Sequence, residues 1–195
     1  RNRPFCMGTL YWQLNDSWPV VSWSGVDYYN NWKAMHYKAR DVFAPIALNV
    51  FQEDEMLNIY TLSDKLTDLK NLTLKVSLID FKGQLIKQIE QKVDAKANAS
   101  VKVHSIAVAN FATTAQQENS VVNVQLIDSK GDAIATSNFF FYWPNKLKLP
   151  ETKIDKSVSY ADGKYTVTLE SKYLAKDVFV EIPIQGAIYN DNFFD

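Results

Sequence analysis

The chain has 195 residues, enough for one or two domains that each bury a core of their own. Its 21 Lys and Arg nearly balance 22 Asp and Glu, which removes the electrostatic case for binding nucleic acid or an anionic membrane surface. No apolar run approaches the roughly 20 residues that cross a bilayer, and the single cysteine, Cys6, cannot close an internal disulfide.

Arg1-Asn2-Arg3-Pro4-Phe5 is neither a start methionine nor the head of a signal peptide, because no apolar core follows it. At the other end the chain stops on Phe193-Phe194-Asp195 without a turn or a polar tail. Both ends are expected to be cuts in a longer chain. Residues 9–14 are a short run of β-formers, apolar on both faces, as in a strand buried within a parallel sheet. Residues 15–29 read as a long aromatic loop. Asn30 or Asn31 can cap a helix in which Trp32, Met35, His36, Ala39 and Phe43 fall on one face. Lys33, Lys38, Arg40 and Asp41 fall largely on the other, and Pro45 ends the helix. One strand and one helix cannot close a core alone.

From Ile46 the pattern turns to alternation of apolar and polar residues. Strands are expected at 46–52, 56–63, 72–80, 85–93, 100–108, 120–128 and 133–142, with turn residues between them. Seven strands over about 100 residues argue for an immunoglobulin-like β-sandwich. Phe139-Phe140-Phe141-Tyr142-Trp143 is the one aromatic run in this part and is expected to pack on a neighbouring domain. Trp143-Pro144-Asn145-Lys146 reads as a linker. Strands at 152–160, 164–171 and 178–184 would follow, the first two joined by an Asp162-Gly163 hairpin turn. Three strands make only a truncated second sandwich. The expected division is therefore 1–45, 46–143 and 144–195.

Chemistry is sparse. His36 and His104 are isolated, Cys6 has no partner at metal-ligand spacing, and no Gly-rich phosphate loop or nucleophile elbow occurs. No metal and no cofactor is called for. Glycoside hydrolysis usually needs two carboxylates, yet no Glu precedes Pro45. Every Glu (53, 55, 90, 118, 151, 170 and 181) falls at an expected turn or on an exposed strand face. What stands out is the aromatic and amide cluster Tyr11-Trp12-Gln13-Leu14-Asn15-Asp16-Ser17-Trp18. A Trp can stack on the apolar face of a sugar ring while Asn and Asp bond its hydroxyls. The competing reading is that these are core aromatics beside a turn.

The segment MGTLYWQLNDSWPVVSWSGVDYYNNWKAMHYKARDVFAPI, Met7 to Ile46, closely resembles the end of the catalytic barrel of the β-mannosidases of glycoside hydrolase family 2. The resemblance implies a (β/α)8 barrel whose eighth strand is 9–14 and whose eighth helix is about 31–43, with the site at the strand ends. It implies that Trp12 lines the sugar pocket. Asn15, Asp16 and Trp18 match the motif and either bind substrate or shape the loop. The family's two catalytic Glu match no position here, so no catalytic residue is expected in this chain. The implied partners are a β-mannoside substrate and the remainder of the barrel, with no nucleic acid and no membrane. Without the barrel, the helix is expected to dock on the first sandwich, and the strand either to pair with another chain or to lie across a neighbouring part of its own. No residue fixes the compartment; an extracytoplasmic one, periplasm or lysosome-like, is preferred.

Overall fold

Alternation along residues 72–78 shows how this chain builds its core. In the computed structural model, which describes residues 8–184 and 187–195, Leu72, Leu74, Val76 and Leu78 all point inward from one strand. Cys6 lies outside the described residues.

That strand is β3 (Leu69–Asp80). Together with β4 (Leu85–Ala95), β6 (Ser120–Ile127) and β7 (Ala133–Phe139) it forms an antiparallel sheet in the order β4-β3-β6-β7. A second sheet, β1-β2-β5, is made of β1 (Ile46–Glu53), β2 (Met56–Ser63) and β5 (Ala99–Ala107). Leu57, Ile59 and Ile106 from this sheet meet Leu74, Val76, Val122, Val124 and Leu126 from the other. Burying each such side chain is worth about 1.5–3 kcal/mol before ordering entropy is subtracted. This is the expected immunoglobulin-like sandwich, and its seven strands fall within a few residues of the expected bounds. Two turns use one device. Asp80 accepts from the Lys82 and Gln84 amides, and Asp128 from those of Lys130 and Asp132. Gly83 and Gly131 supply the positive φ, +85° and +92°, that each turn requires. Two short helices, α2 (Val108–Phe111) and α3 (Thr114–Gln117), link β5 to β6. The second opens on a capping box between Thr113 and Gln116.

The aromatic run after β7 splits by alternation. Phe139 and Phe141 meet edge to face and belong to the sandwich's own core. Phe140 and Tyr142 turn the other way, onto Phe81, Val121, Leu147 and Leu174. Two of the five rings therefore face Leu147 and Leu174 beyond the sandwich strands, and Trp143 is exposed. A 3-10 turn at Pro144–Lys146 leads into the hairpin β8 (Ile154–Ala161) and β9 (Lys164–Ser171). Its turn residues Asp162 and Gly163 both have positive φ, as an Asp-Gly hairpin turn demands. Both strands are largely exposed. The third strand expected at 178–184 does not form. Among the described residues Val178 makes one isolated bridge, to Phe194, and the Val180 amide and carbonyl are taken by the Asn192 side chain instead of a strand partner.

Two further expectations give way at the other end. Residues 9–14 are not a strand. A run that is apolar on both faces becomes a strand when neighbours pair with it from both sides, whereas here residues 25–26 bond only its end, at the Gln13 and Leu14 carbonyls, with an isolated bridge between Asn15 and Val26 just beyond. The helix, α1 (Ala34–Val42), starts later than expected. Lys33 sits at its N-cap without a side-chain cap, because Asn31 is bonded to Asp27 and Asn30 takes a left-handed φ of 68° in the turn. Its buried face centres on Tyr37, while Met35 and Phe43 are exposed. Nor does α1 dock on the sandwich. The Tyr37 ring packs 6.0 Å from that of Phe193, and Arg40 bonds the Asp191 carboxylate at 2.8 Å and the Asn190 carbonyl. The C-terminal residues offer this face a ring, a carboxylate and a carbonyl together. A groove lined by Lys38, Val42, Leu48 and Ser137 stays open between α1 and the sandwich.

Candidate functional site

The aromatic loop before α1 is held by main-chain bonds between two stretches. Gly25 and Val26 amides donate to the Gln13 and Leu14 carbonyls, both at 2.9 Å, and the Asp16 amide returns a bond to Val26 at 3.1 Å. The Lys33 amide then donates to Gly25 at 2.8 Å, tying the loop to the start of α1. Gly25 is favoured by closeness rather than by φ. A Cβ there would lie 3.1 Å from the Tyr11 hydroxyl and 3.2 Å from His36 Nδ1.

Asp16 is the polar centre of this arrangement. Its carboxylate accepts from Ser22 Oγ on one oxygen, and from Ser24 Oγ at 2.7 Å and Lys33 Nζ at 3.2 Å on the other. Lys33 Nζ also donates to Ser24 Oγ at 2.7 Å. The Ser22 and Ser24 hydroxyls hold the Asp16 carboxyl down at about 2, with Lys33 adding to them against the opposing pull of burial. Both carboxylate oxygens of Asp16 therefore accept from donors within the loop and at the start of α1.

The other expected site residues lie at the surface. Trp12 is 73% exposed, Trp18 68% and Trp23 80%. The Trp12–Gln13 peptide is cis. Asn15 is exposed, and its side-chain amide donates to the Asp16 carbonyl at 3.3 Å. The structure thus separates two roles within one motif. Trp12, Asn15 and Trp18 present surface, and Asp16 supports it. Ser22, Ser24 and Gly25, which do the supporting with Lys33, carry no signal in the sequence beyond two serines flanking Trp23. Lys33 falls in the family motif Trp32-Lys33-x-Met35-His36-Tyr37 but has no role there and is expected on the outer helix face.

His36 is engaged on both sides. Its Nδ1 lies 3.2 Å from the Tyr11 hydroxyl and its ring meets Trp32 at 4.5 Å. His104 lies in β5, where burial pushes it below its ordinary value. Among the described residues no group of three or more His, Cys, Asp or Glu could hold a metal ion. The Glu side chains are exposed apart from the half-buried Glu118, which pairs with Lys148.

Residues 55–148 match the model of the Mannosidase Ig/CBM-like domain, and residues 149–195 match that of an Ig-fold domain. A β-mannosidase of Capra hircus is 28% identical over 194 residues, which is 96% of this chain and 22% of that protein. Among solved structures, the β-D-mannosidase of Dictyoglomus thermophilum covers 93% of this chain at a TM-score of 0.76 and 27% identity, with 22% of its own chain matched. An exo-chitosanase of Amycolatopsis orientalis shares the fold at a TM-score of 0.58 and 16% identity, over 84% of this chain and 22% of its own. The chain thus spans about a fifth of the length of the relatives it matches. Along most of its length it is similar to β-mannosidases, as the motif between Met7 and Ile46 implies.

Proposed function

We propose that this chain is the C-terminal part of a retaining exo-β-mannosidase, an enzyme that removes terminal, non-reducing β-D-mannose residues. One observation carries the reading. The goat β-mannosidase aligns with 96% of the chain, too much to leave out the exposed Trp12 and its supporting loop. In this reading residues 1–45 are the last strand and helix of the catalytic barrel, 46–143 an immunoglobulin-like sandwich, and 144–195 a linker and the start of a second sandwich.

Trp12 stacks on the apolar face of the mannose ring. Asn15 bonds hydroxyls, Trp18 borders the pocket, and Asp16 keeps the loop in shape. Chemistry belongs to two Glu on the rest of the barrel, one as nucleophile and one as acid/base, about 5–5.5 Å apart as retention requires. The rest of the barrel would also cover Leu10, Leu14, Val21 and Trp23, which are bare here and would otherwise favour self-association. The sandwich supports the barrel.

An aryl β-mannoside is the direct test. The 195-residue chain gives no turnover above buffer, while the full-length protein turns it over. Trp12→Ala in the full-length protein lowers kcat/KM about tenfold or more, the worth of one well-placed contact of about 1.4 kcal/mol. Turnover by the chain alone, or an unchanged kcat/KM, overturns the reading. A substrate panel that favoured a β-glucosaminide would assign the chain instead to an exo-β-glucosaminidase of the same family. Heat on titrating manno-oligosaccharides into the isolated chain would favour a carbohydrate-binding accessory module.

A further inference from the structure

We propose that Lys33 is the positioning residue of the sugar-facing loop: acting through Ser24 and the Asp16 carboxylate, it holds residues 13–26 in the shape that leaves Trp12 bare. The proposal rests on Trp12 being the sugar-stacking ring, and it adds a residue that the family motif did not single out for any role.

Lys33 grips the loop twice. Its main-chain amide donates to Gly25, and its ammonium reaches Ser24 Oγ and Asp16 Oδ2. The Asp16 side chain is 1% exposed and that of Lys33 is 32% exposed, so Lys33 is a cation leaning from the surface into a buried anion. A buried carboxylate needs hydrogen bonds and a counter-charge to stay ionised. Ser22 and Ser24 supply the first, and Lys33 is the charged group that supplies the second. Lys33 also stands at the N-cap of α1, so its position depends on where α1 lies. Tyr37 and Arg40 fix α1 against Phe193, Asp191 and Asn190. The C-terminal residues therefore bear on the loop through one helix and one ammonium. Lys33 touches no sugar in this arrangement.

The test compares Lys33→Met, Asp16→Asn and the charge-balanced double variant in the 195-residue chain. Carbon NMR of the Asp16 carboxyl reads its titration, and hydrogen exchange reads the Gly25 and Val26 amides that close the loop. Lys33→Met is expected to raise the Asp16 midpoint by about one pH unit, as loss of a nearby opposite charge does. It is also expected to speed exchange of the two amides about tenfold while the sandwich melts as before. The double variant, with no buried charge left alone, brings exchange back toward wild type. An unmoved midpoint with unmoved exchange, or a double variant as loose as Lys33→Met, overturns the proposal. In the full-length protein, Lys33→Met raises KM for an aryl β-mannoside more than it lowers kcat. If the loop loosens as expected but neither Lys33→Met nor Trp12→Ala changes KM, the sugar-site reading fails and the loop-holding role of Lys33 stands.

Discussion

The sandwich and the segment before it bury their side chains by opposite means. Between Ile46 and Phe139, two sheets supply each other's apolar neighbours, and Leu57, Leu74, Val76, Val122 and Leu126 are fully enclosed. Before Ala44, Leu10, Trp12, Leu14, Trp18 and Trp23 are bare, and Asp16 and Ser24 are the side chains tucked inside the loop. One region is held by apolar contact of high multiplicity. The other is held by a handful of directed bonds around one carboxylate, with only Tyr37 of its helix buried. Apolar packing tolerates small shifts, whereas a network of this size is lost when a single member is removed.

That contrast can be broken by mutation, and the largest effect belongs in the sandwich. Leu74→Ala empties a fully buried position in β3 and is expected to cost about 2–5 kcal/mol in urea unfolding, with the loop amides of Gly25 and Val26 unchanged. If those amides loosen in step, the two regions are one cooperative unit. Gly25→Ala should do the reverse. The new methyl meets Tyr11 and His36, and overpacking of this kind costs about 1–3 kcal/mol, read locally in the loop. Arg40→Ala removes a half-exposed bond to Asp191 and is expected to cost no more than about 1 kcal/mol, seen as faster exchange in α1. Trp12→Ala, at an exposed position, should change the stability of the chain by no more than about 0.5 kcal/mol while abolishing its proposed sugar contact.

Acid sharpens the same comparison. The folded Asp16 carboxyl is depressed to about 2 from an ordinary 3.8. Its contribution is therefore complete above pH 3.8 and is lost as the pH falls through about 2. The loop is expected to loosen within that interval, followed by hydrogen exchange at Gly25 and Val26. Loosening near pH 5 would mean that another group governs the loop.

Legibility followed the range of the interactions. The sandwich strands could be read because alternation along each strand reports which face is buried. Asp-Gly at 162–163 was legible for a local reason, since few residues adopt positive φ. The failures were all cases in which the pattern described neighbours that the described residues do not supply. Residues 9–14 and 178–184 carry strand composition, but a strand is a relation between segments, and each finds a few scattered bonds and a single bridge at its edge rather than a ladder. The helix face was misjudged for a similar reason. The spacing of Trp32, Met35, His36 and Phe43 marked an apolar stripe, yet burial went to Tyr37, beside which Phe193 happens to lie.

By itself the sequence determined the immunoglobulin-like sandwich and the resemblance of residues 7–46 to the β-mannosidases. Both depend on residue type and order along the chain. Only the tertiary structure decided that Asp16 turns inward while Trp12 turns outward, and that Lys33, seventeen positions further on, reaches back to balance it. A carboxylate takes whichever role the donors around it assign, and those donors are gathered by the fold.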